Sequence, residues 1–257
     1  MRIAAVVEYC GLAYAGWQRQ DGAPTVQGMV EGALSAVADH PVTVHCAGRT
    51  DAGVHALHQV IHFDTEAERP PRGWMLGCNV HLPPDISLLW AGLPGEDFHA
   101  RYSATGRSYR YVILNRSARP GLLRGRVAWE CRPLDERRMA EAGAFLVGRH
   151  DFSAFRAREC QAKSPVREVR RLEVRRSSDM IILDIEADGF LHHMVRNIAG
   201  VLMAAGMGKA PPEWAREVLE SRDRAAGGVT APAEGLYLAG ITYPPRFGIP
   251  GPQAPVL

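Results

Sequence analysis

The spacing of apolar and polar residues predicts alternating strands and helices over the first hundred residues. The apolar run Arg2–Tyr9 predicts a strand, and apolar residues recur at helical spacing through Thr25–Asp39. The pattern further predicts a short helix at Arg72–Asn79 and strands at Val42–Cys46, His58–Phe63 and Ile86–Ala91. The resulting order, β-α-β-β-α-β, is that of a ferredoxin-like unit, an antiparallel sheet with helices on one face.

A second α+β series is predicted from residue 107 onward. Asp135 is a plausible N-cap and Gly206 a plausible C-cap for two of its helices. The predicted helices are Asp135–Val147, Leu191–Ala205 and Pro211–Ser221, and the predicted strands are Arg107–Leu114, Val127–Cys131, Glu168–Arg175, Met180–Ala187 and Gly235–Tyr243. We therefore expect an α+β fold with one half in residues 1–103, a second in 104–247, and a flexible Pro-rich tail in 248–257.

Composition places the chain among ordinary globular proteins, with 257 residues, 46% hydrophobic and 23% charged. No stretch approaches the roughly 18 uninterrupted apolar residues of a membrane span. The first apolar run, Ile3–Val7, is too short for the core of a signal peptide. A cytoplasmic protein with no membrane partner is therefore expected.

The net charge of +2 conceals a strongly basic middle segment. Lys+Arg minus Asp+Glu is 5 − 11 = −6 in residues 1–100, 19 − 8 = +11 in 101–176 and 6 − 9 = −3 in 177–257. Almost all of these cations are arginines, whose planar group pairs with phosphate and stacks on bases. Two interpretations stay open: a face that binds a polyanion, or a coding bias towards arginine on an ordinary solvated surface.

Several common chemistries find no support in the sequence. The five cysteines form no Cys-x-x-Cys pair, so neither a zinc ribbon nor a disulfide framework is indicated. Phosphate-binding loops and a Gly-x-Ser-x-Gly elbow are absent. His55, His58 and His62 have the spacing of a zinc site on a helix, but His58–Phe63 has strand character. We therefore expect no metal.

The loop Gly48–Gly53 is the strongest candidate for chemistry. Two glycines flank Asp51, and Arg49 lies two residues before it, so the loop can turn sharply and hold an ionised carboxylate beyond the sheet edge. The alternative is an Asx-turn, in which Asp51 bonds only its own backbone and Arg49 faces solvent. Spacing alone leaves both open.

The run Gly48-Arg49-Thr50-Asp51-Ala52-Gly53-Val54-His55-Ala56 resembles the signature of the TruA family of tRNA pseudouridine synthases. Further segments resemble this family in the same order, from about residue 2 to residue 244. They are Tyr14–Gln18 with Gln20, Thr25–Gln27, Phe98–Arg101, Ser108–Tyr111, His192–Ile198 and Ala233–Leu238. The resemblance implies two ferredoxin-like or RRM-like halves, with antiparallel sheets joined across a central RNA-binding cleft.

The resemblance also implies an isomerase that converts uridines 38, 39 and 40 of the tRNA anticodon stem-loop to pseudouridine. Such a reaction adds and removes nothing overall, so no cofactor or metal is expected. The catalytic acid would be Asp51, with Arg49 and Arg196 matching the arginines that the family places beside it. We hypothesise that Arg196 pairs with Asp51 across the junction between the halves. Tyr109 matches the active-site tyrosine, for which stacking on uracil and removal of the C5 proton are both open.

The partners implied are tRNA and a second copy of the chain, because the family is homodimeric. The candidate RNA-binding residues are Trp17, Arg19, Arg101, Arg107 and Arg110, with further phosphate contacts possible at Arg116, Arg119, Arg124 and Arg126. A non-catalytic RNA-binding module is the alternative, and the intact Gly48–Ala56 loop argues against it. A metal-dependent hydrolase using His55, His58 and His62 is a third hypothesis.

Overall fold

A computed structural model describes residues 1–252 and divides the chain into two compact units. The first contains Met1–Gly106 together with the chain from Tyr237 onward, and the second contains Arg107–Leu236. Its strands are β1 Arg2–Tyr9, β2 His45–Cys46, β3 His55–Asp64, β4 Ile86–Gly92, β5 Gly106–Asn115, β6 Ala128–Glu130, β7 Gly148–Asp151, β8 Val166–Ser177, β9 Met180–Ala187 and β10 Leu236–Thr242. Its helices are α1 Val26–Ala38, α2 Pro71–His81, α3 Glu136–Ala144, α4 Met194–Gly206 and α5 Trp214–Ser221. The α+β class predicted from the sequence is confirmed.

The sheet of the first unit is built around β1, whose side chains are almost all buried. Strand β1 runs antiparallel to β4 on one side and to β3 on the other. Strand β2 pairs antiparallel with the end of β3, where Cys46 lies opposite Ile61. Strand β10 pairs parallel with the start of β3, where Tyr237 lies opposite His55. The chain thus returns to the first unit for its last strand, which the sequence analysis had assigned to the second half.

Two helices pack beside this sheet. Thr25 caps α1, because its hydroxyl accepts a hydrogen bond from the Gly28 backbone N–H at 3.3 Å. Gly77 lets α2 approach α1, since a Cβ there would lie 3.0 Å from a methyl of Val37. The buried Trp74 of α2 meets Phe63 of β3 edge to face, at 5.2 Å between ring centroids. These contacts form the core of the first unit.

The second unit has a sheet in which β5, β9, β8 and β7 pair antiparallel in that order. Strand β6 lies parallel to β5 on its other side. Asp135 caps α3 by accepting hydrogen bonds from two backbone N–H groups. Gly206 allows α3 and α4 to approach, because a Cβ there would lie 2.7 Å from Met139 Cγ. A glycine thus brings two helices into close contact in this unit, as Gly77 does in the first unit.

Several element bounds differ from the predicted ones, and three differences have a clear local cause or concern a named residue. Helix α4 begins at Met194 rather than Leu191, because His193 adopts a left-handed conformation at the N-cap, with φ 61°. Gly206 is the last residue of α4, and Met207 is its C-cap. Strand β7 was missed because its four residues are polar or glycine, without an alternating apolar pattern.

The C-terminal segment contacts the first unit as far as it is described. Pro250 O accepts a hydrogen bond from His58 Nε2 at 3.0 Å. The Phe247 ring packs edge to face on Phe98, at 5.2 Å. The flexible tail predicted over 248–257 therefore includes Pro250, which is hydrogen-bonded to His58. Residues 253–257 lie outside the described residues. None of the helices in residues 1–252 has the length and apolarity that crossing a membrane requires.

Candidate active site

The Asp51 loop, residues 47–54 between β2 and β3, is fixed by hydrogen bonds at both ends. The Ala47 N–H donates to Val60 O at 2.8 Å. The buried Gln59 side chain donates to Gly48 O at 2.6 Å and accepts from the Gly48 N–H at 3.4 Å. At the other end the Val54 N–H donates to Asp51 O at 3.1 Å. Asp51 is therefore the first residue of a closed turn rather than part of a mobile loop.

A second loop, residues 10–17, presses against the Asp51 loop through two glycines. The Trp17 N–H donates to Thr50 O at 3.0 Å. A Cβ on Gly16 would lie 2.7 Å from the same oxygen, and Gly16 has φ 99°. A Cβ on Gly11 would lie 1.9 Å from Val54 O. Neither glycine can carry a side chain without moving the loop.

Side-chain contacts complete the support of the Asp51 loop. The hydroxyl groups of Tyr9 and Thr50 form a buried hydrogen bond at 2.8 Å. Thr50 is buried, whereas its two neighbours are accessible to different degrees: Asp51 is half-buried and Arg49 is exposed. The loop thus presents a carboxylate and a guanidinium from a rigid backbone, which is the geometry that a catalytic acid needs.

The three histidines of the hypothetical zinc site each have a separate structural role. His55 Nδ1 accepts from the Gly11 N–H at 3.0 Å, and its ring stacks on Tyr237 at 4.7 Å. His58 bonds Pro250 O, and His62 Nδ1 accepts from the Ala100 N–H at 3.1 Å. Within residues 1–252, these three side chains do not form a group whose ligand atoms converge. The structure therefore gives no support to a metal site formed by His55, His58 and His62.

Tyr109 lies on β5 in the second unit, opposite Ile185 of β9. Its half-buried ring meets Phe190 edge to face, with centroids 5.0 Å apart. Two residues further along, Tyr111 is completely buried, its hydroxyl donates to Pro232 O at 2.9 Å, and burial raises its pKa. Tyr111 is therefore a packing residue, which leaves Tyr109 as the more accessible of the two rings.

Arg196 lies in the first turn of α4 and is held by the segment after residue 228. Its Nε donates to Ala231 O at 2.8 Å, and its own carbonyl accepts from the Ala231 N–H at 3.1 Å. Gly200 permits this contact, because a Cβ there would lie 2.0 Å from Val229 O. The direction of the half-buried Arg196 side chain is thus set by backbone groups of its own unit.

The candidate RNA-binding residues differ widely in accessibility. Trp17 is only 1% exposed and packs on Tyr9, with centroids 5.8 Å apart, so the prediction that it touches RNA is corrected: it supports the Asp51 loop instead. Arg19 is exposed and pairs with Glu31 at 3.2 Å, and Arg101 is exposed. Arg107 donates to Asp188 O at 3.0 Å.

Part of the basic middle segment is paired with carboxylates of its own unit. Arg110 makes two hydrogen bonds to Asp184, at 2.7 and 3.1 Å, from the facing position on β9. At least seven other arginines of the second unit form ion pairs there: Arg116 with Asp179, Arg132 with Glu130, Arg170 with Glu168 and Glu186, Arg171 with Glu173, Arg175 with Asp184, Arg176 with Glu136, and Arg222 with Asp151. The charge of residues 101–176 alone therefore overstates the positive charge of this unit, since three of the partner carboxylates, Asp179, Asp184 and Glu186, lie beyond residue 176.

The Asp51 loop is the feature by which the sequence resembles a known family, and a comparison with known families agrees. A family profile described as tRNA pseudouridine synthase matches residues 5–103 and 142–244. The chain belongs to this family. Family membership was predicted from the motif around Asp51 and is confirmed.

Curated relatives match almost the entire chain. It is 59% identical over 256 residues to tRNA pseudouridine synthase A of Nitrosococcus oceani. This alignment covers 100% of this chain and 99% of that protein. It is 54% identical over 249 residues to the protein of the same name from Coxiella burnetii, at 97% and 95% coverage. The Legionella pneumophila protein is 55% identical over 256 residues, at 98% and 98%. The enzyme is thus an isomerase of the pseudouridine synthases, and pseudouridine formation in tRNA is supported.

Some supporting residues of the site were not identified from the sequence. Gln59, which is completely buried, ties the loop to β3, and Tyr9 holds Thr50. A polar residue in the middle of an apolar strand was the available signal for Gln59, because a buried amide needs hydrogen-bond partners. Nothing in the local pattern separates Tyr9 from an ordinary core residue.

Proposed function

We propose that this protein isomerises uridines 38, 39 and 40 of the tRNA anticodon stem-loop to pseudouridine, with Asp51 as the nucleophile. The observation that carries the proposal is the rigid loop that presents Asp51. A non-catalytic RNA-binding module would need no such closely packed carboxylate loop, so this alternative is weaker.

The chemistry explains why a single carboxylate is central. The N1–C1′ glycosidic bond breaks, the uracil rotates, a C5–C1′ bond forms, the proton on C5 leaves, and N1 takes up a proton. Atoms and electrons balance without a cofactor or a metal. A carboxylate near C1′ or C6 supplies what retaining glycosidases supply at their anomeric carbon. Attack on C1′, addition to C6 and abstraction of a sugar proton are the three routes for Asp51, and they differ in the intermediate formed.

We assign the remaining candidate residues to supporting roles. Arg49, two residues before Asp51, orients the carboxylate, and Arg196 acts with it in the same way. Tyr109 stacks on the target uracil and retains it while it turns. An Arg196→Ala enzyme is expected to lose turnover at neutral pH, and near wild-type turnover would remove Arg196 from the mechanism. A Tyr109→Phe variant keeps stacking and loses any proton transfer.

The finer architecture belongs to the same proposal. Each half would be ferredoxin-like, and in the first unit the strand pairing β4-β1-β3-β2 supports this. The enzyme would be homodimeric, as the resemblance implies, and cytoplasmic, as expected from the sequence composition. Light scattering of the purified protein tests the dimer directly.

Tritium release from C5-labelled uridine in unmodified tRNA tests the function. Wild type, Asp51→Asn and Asp51→Ala are compared on tRNAs with uridine at one of the three positions. We expect release by wild type and a loss of at least about a thousandfold in both variants, as for removal of a nucleophile. A wild type that releases nothing on any tRNA would contradict the enzyme assignment, and equal release by the variants would remove Asp51 as nucleophile.

A further inference from the structure

A row of aromatic rings extends from the interior of the first unit to its surface. His62 stacks on His45 at 5.0 Å between centroids and meets His99 edge to face at 4.6 Å. His99 in turn lies 4.3 Å from the ring of Tyr102. We call these four residues the ring ladder. Its inner end, His62, is 1% exposed, and its outer end, Tyr102, is 76% exposed.

The outer end of the ring ladder is held in a fixed turn. His99 Nδ1 accepts hydrogen bonds from the backbone N–H groups of Arg101 and Tyr102, at 3.1 and 3.3 Å. The Ser103 N–H also donates to His99 O at 2.9 Å. A large exposed aromatic on an anchored backbone loses little conformational freedom when a flat ligand covers it.

Strand β2 connects the ring ladder to the Asp51 loop. His45, a member of the ladder, lies opposite His62 on β3 and is followed by Cys46, after which the loop begins. At the outer end of the ladder, the Arg101 guanidinium lies 5.7 Å from the centroid of Tyr102. The ladder and the loop are therefore continuous along the chain, and the ladder carries a cation beside its exposed ring.

An exposed aromatic ring beside a guanidinium is better suited to binding an unpaired nucleotide than to binding a protein surface. Single-stranded RNA is recognised by aromatic rings that stack on bases and by arginines that contact the adjacent phosphates. A protein-binding patch would have an apolar surround, whereas Tyr102 is surrounded by His99 and Arg101. Removing the target uridine from its stack costs a few kcal/mol, so the enzyme gains from holding nearby nucleotides.

We propose that Tyr102, backed by His99 and flanked by Arg101, is a stacking platform for an unpaired base of the tRNA near the uridine that reacts at Asp51. The platform rests on the proposed function, because it places RNA along the unit that carries Asp51. It adds a positioning residue, Tyr102, and an aromatic contact to the phosphate contacts expected from the arginines.

The test measures single-turnover tritium release at increasing enzyme concentration for Tyr102→Phe, Tyr102→Leu and Tyr102→Ala. Stacking predicts that the leucine and alanine variants raise the half-saturating concentration about tenfold, while the phenylalanine variant stays within about twofold of wild type. The maximal rate should change little in all three. Leu122→Ala, at a side chain 96% exposed in the second unit, is the matched surface control.

Salt dependence separates the ring from the cation. Arg101→Gln should lower the slope of log affinity against log salt by about one, whereas Tyr102→Leu should weaken binding with the slope unchanged. Thermal unfolding of each variant checks that the fold is intact.

The outcomes distinguish the platform from the proposed function. A wild type without activity would overturn the proposed function. An active wild type with unchanged half-saturation in Tyr102→Ala and Tyr102→Leu would overturn the platform, as would an equal loss in Tyr102→Phe. A change of oligomeric state in Tyr102→Ala, measured by light scattering, would overturn it as well, by assigning the ring to contact with a second copy of the chain.

Discussion

The two units hold their candidate catalytic residues by different means. In the first unit, main-chain hydrogen bonds, a buried glutamine and two glycines in close contact fix the Asp51 loop. In the second, Tyr109 lies on a strand where the adjacent Arg110 pairs with Asp184 of the neighbouring strand. The net charges reflect this contrast: seven arginines against 11 acids in the first unit give −4, and 23 Lys+Arg against 17 acids in the second give +6.

The contrast indicates which positions tolerate change. A glycine in close contact with another backbone cannot be replaced without moving one of the two segments, whereas loss of an ion pair at a sheet surface lowers the stability only modestly. We therefore expect the largest effects where a side chain is added at the backbone contacts of the Asp51 loop, and smaller effects from removal of one ion pair or one hydrogen bond in either unit.

Gly16→Ala should give the largest effect. The added Cβ meets Thr50 O at 2.7 Å, and φ 99° disfavours a side chain there, so we expect a loss of about 3 kcal/mol in stability and at least about a hundredfold in kcat/KM. Urea unfolding and tritium release measure the two. Gly22→Ala is the control, because Gly22 also has positive φ, at 74°, but nothing lies within 4 Å of its Cβ position. Equal effects in the two variants would show that strain rather than the contact with Thr50 is responsible.

The buried His62 should make the first unit sensitive to acid. Burial, with the nearby charges of His99, Arg2 and His45, lowers its pKa to about 4, and Asp64 opposes this shift. The unfolded chain binds the proton below about pH 6.5 and the folded chain only near pH 4. Stability should therefore fall by about 3 kcal/mol as the pH decreases from 6.5 to 4.

His62→Asn tests this acid sensitivity, because an amide oxygen can accept from the Ala100 N–H without titrating. The variant should lose less stability than wild type over the same pH interval in urea unfolding. His81→Asn, at the exposed end of α2, controls for loss of an imidazole. Parallel pH profiles for wild type and His62→Asn would contradict the assignment.

Local pattern predicted most elements of the fold, and specific motifs predicted the position of the site. Strands β1 and β9 were predicted with their observed bounds because apolar residues run or alternate through them. The motif located Asp51, but the sequence did not reveal that β10 belongs to the first unit. Strand pairing across about 180 residues depends on tertiary contacts that local spacing does not encode.

The same limit explains why the surroundings of individual side chains could not be predicted. Trp17 was expected at an RNA surface, but the close approach of Gly16 to Thr50 buries the adjacent ring against Tyr9. Arg110 was counted as a phosphate contact because the sequence does not show that it faces Asp184 on β9. Both outcomes depend on residues that lie far away along the chain.

Arg110→Gln tests the smaller effect expected in the second unit. The Arg110–Asp184 pair is bidentate and mostly buried, with side chains 15% and 22% exposed, so we expect a loss of about 1–2 kcal/mol in stability. The salt dependence of tRNA binding should not change, because the guanidinium is occupied by Asp184. Arg101→Gln, measured in parallel, should lower the salt slope by about one. A lowered slope for Arg110→Gln would show that Arg110 contacts phosphate despite the ion pair.

The Tyr9–Thr50 hydrogen bond should give the smallest effect and the most direct measure of how the Asp51 loop is held. Tyr9→Phe and Thr50→Val each remove one hydroxyl with little change of shape, and a double-mutant cycle isolates their interaction. We expect a coupling of about 1 kcal/mol in urea unfolding, typical of a buried neutral hydrogen bond. The same cycle on kcat should show coupling too, because the bond orients the residue next to Asp51. Coupling in stability without coupling in kcat would mean that the glycines and Gln59 suffice to hold the catalytic turn.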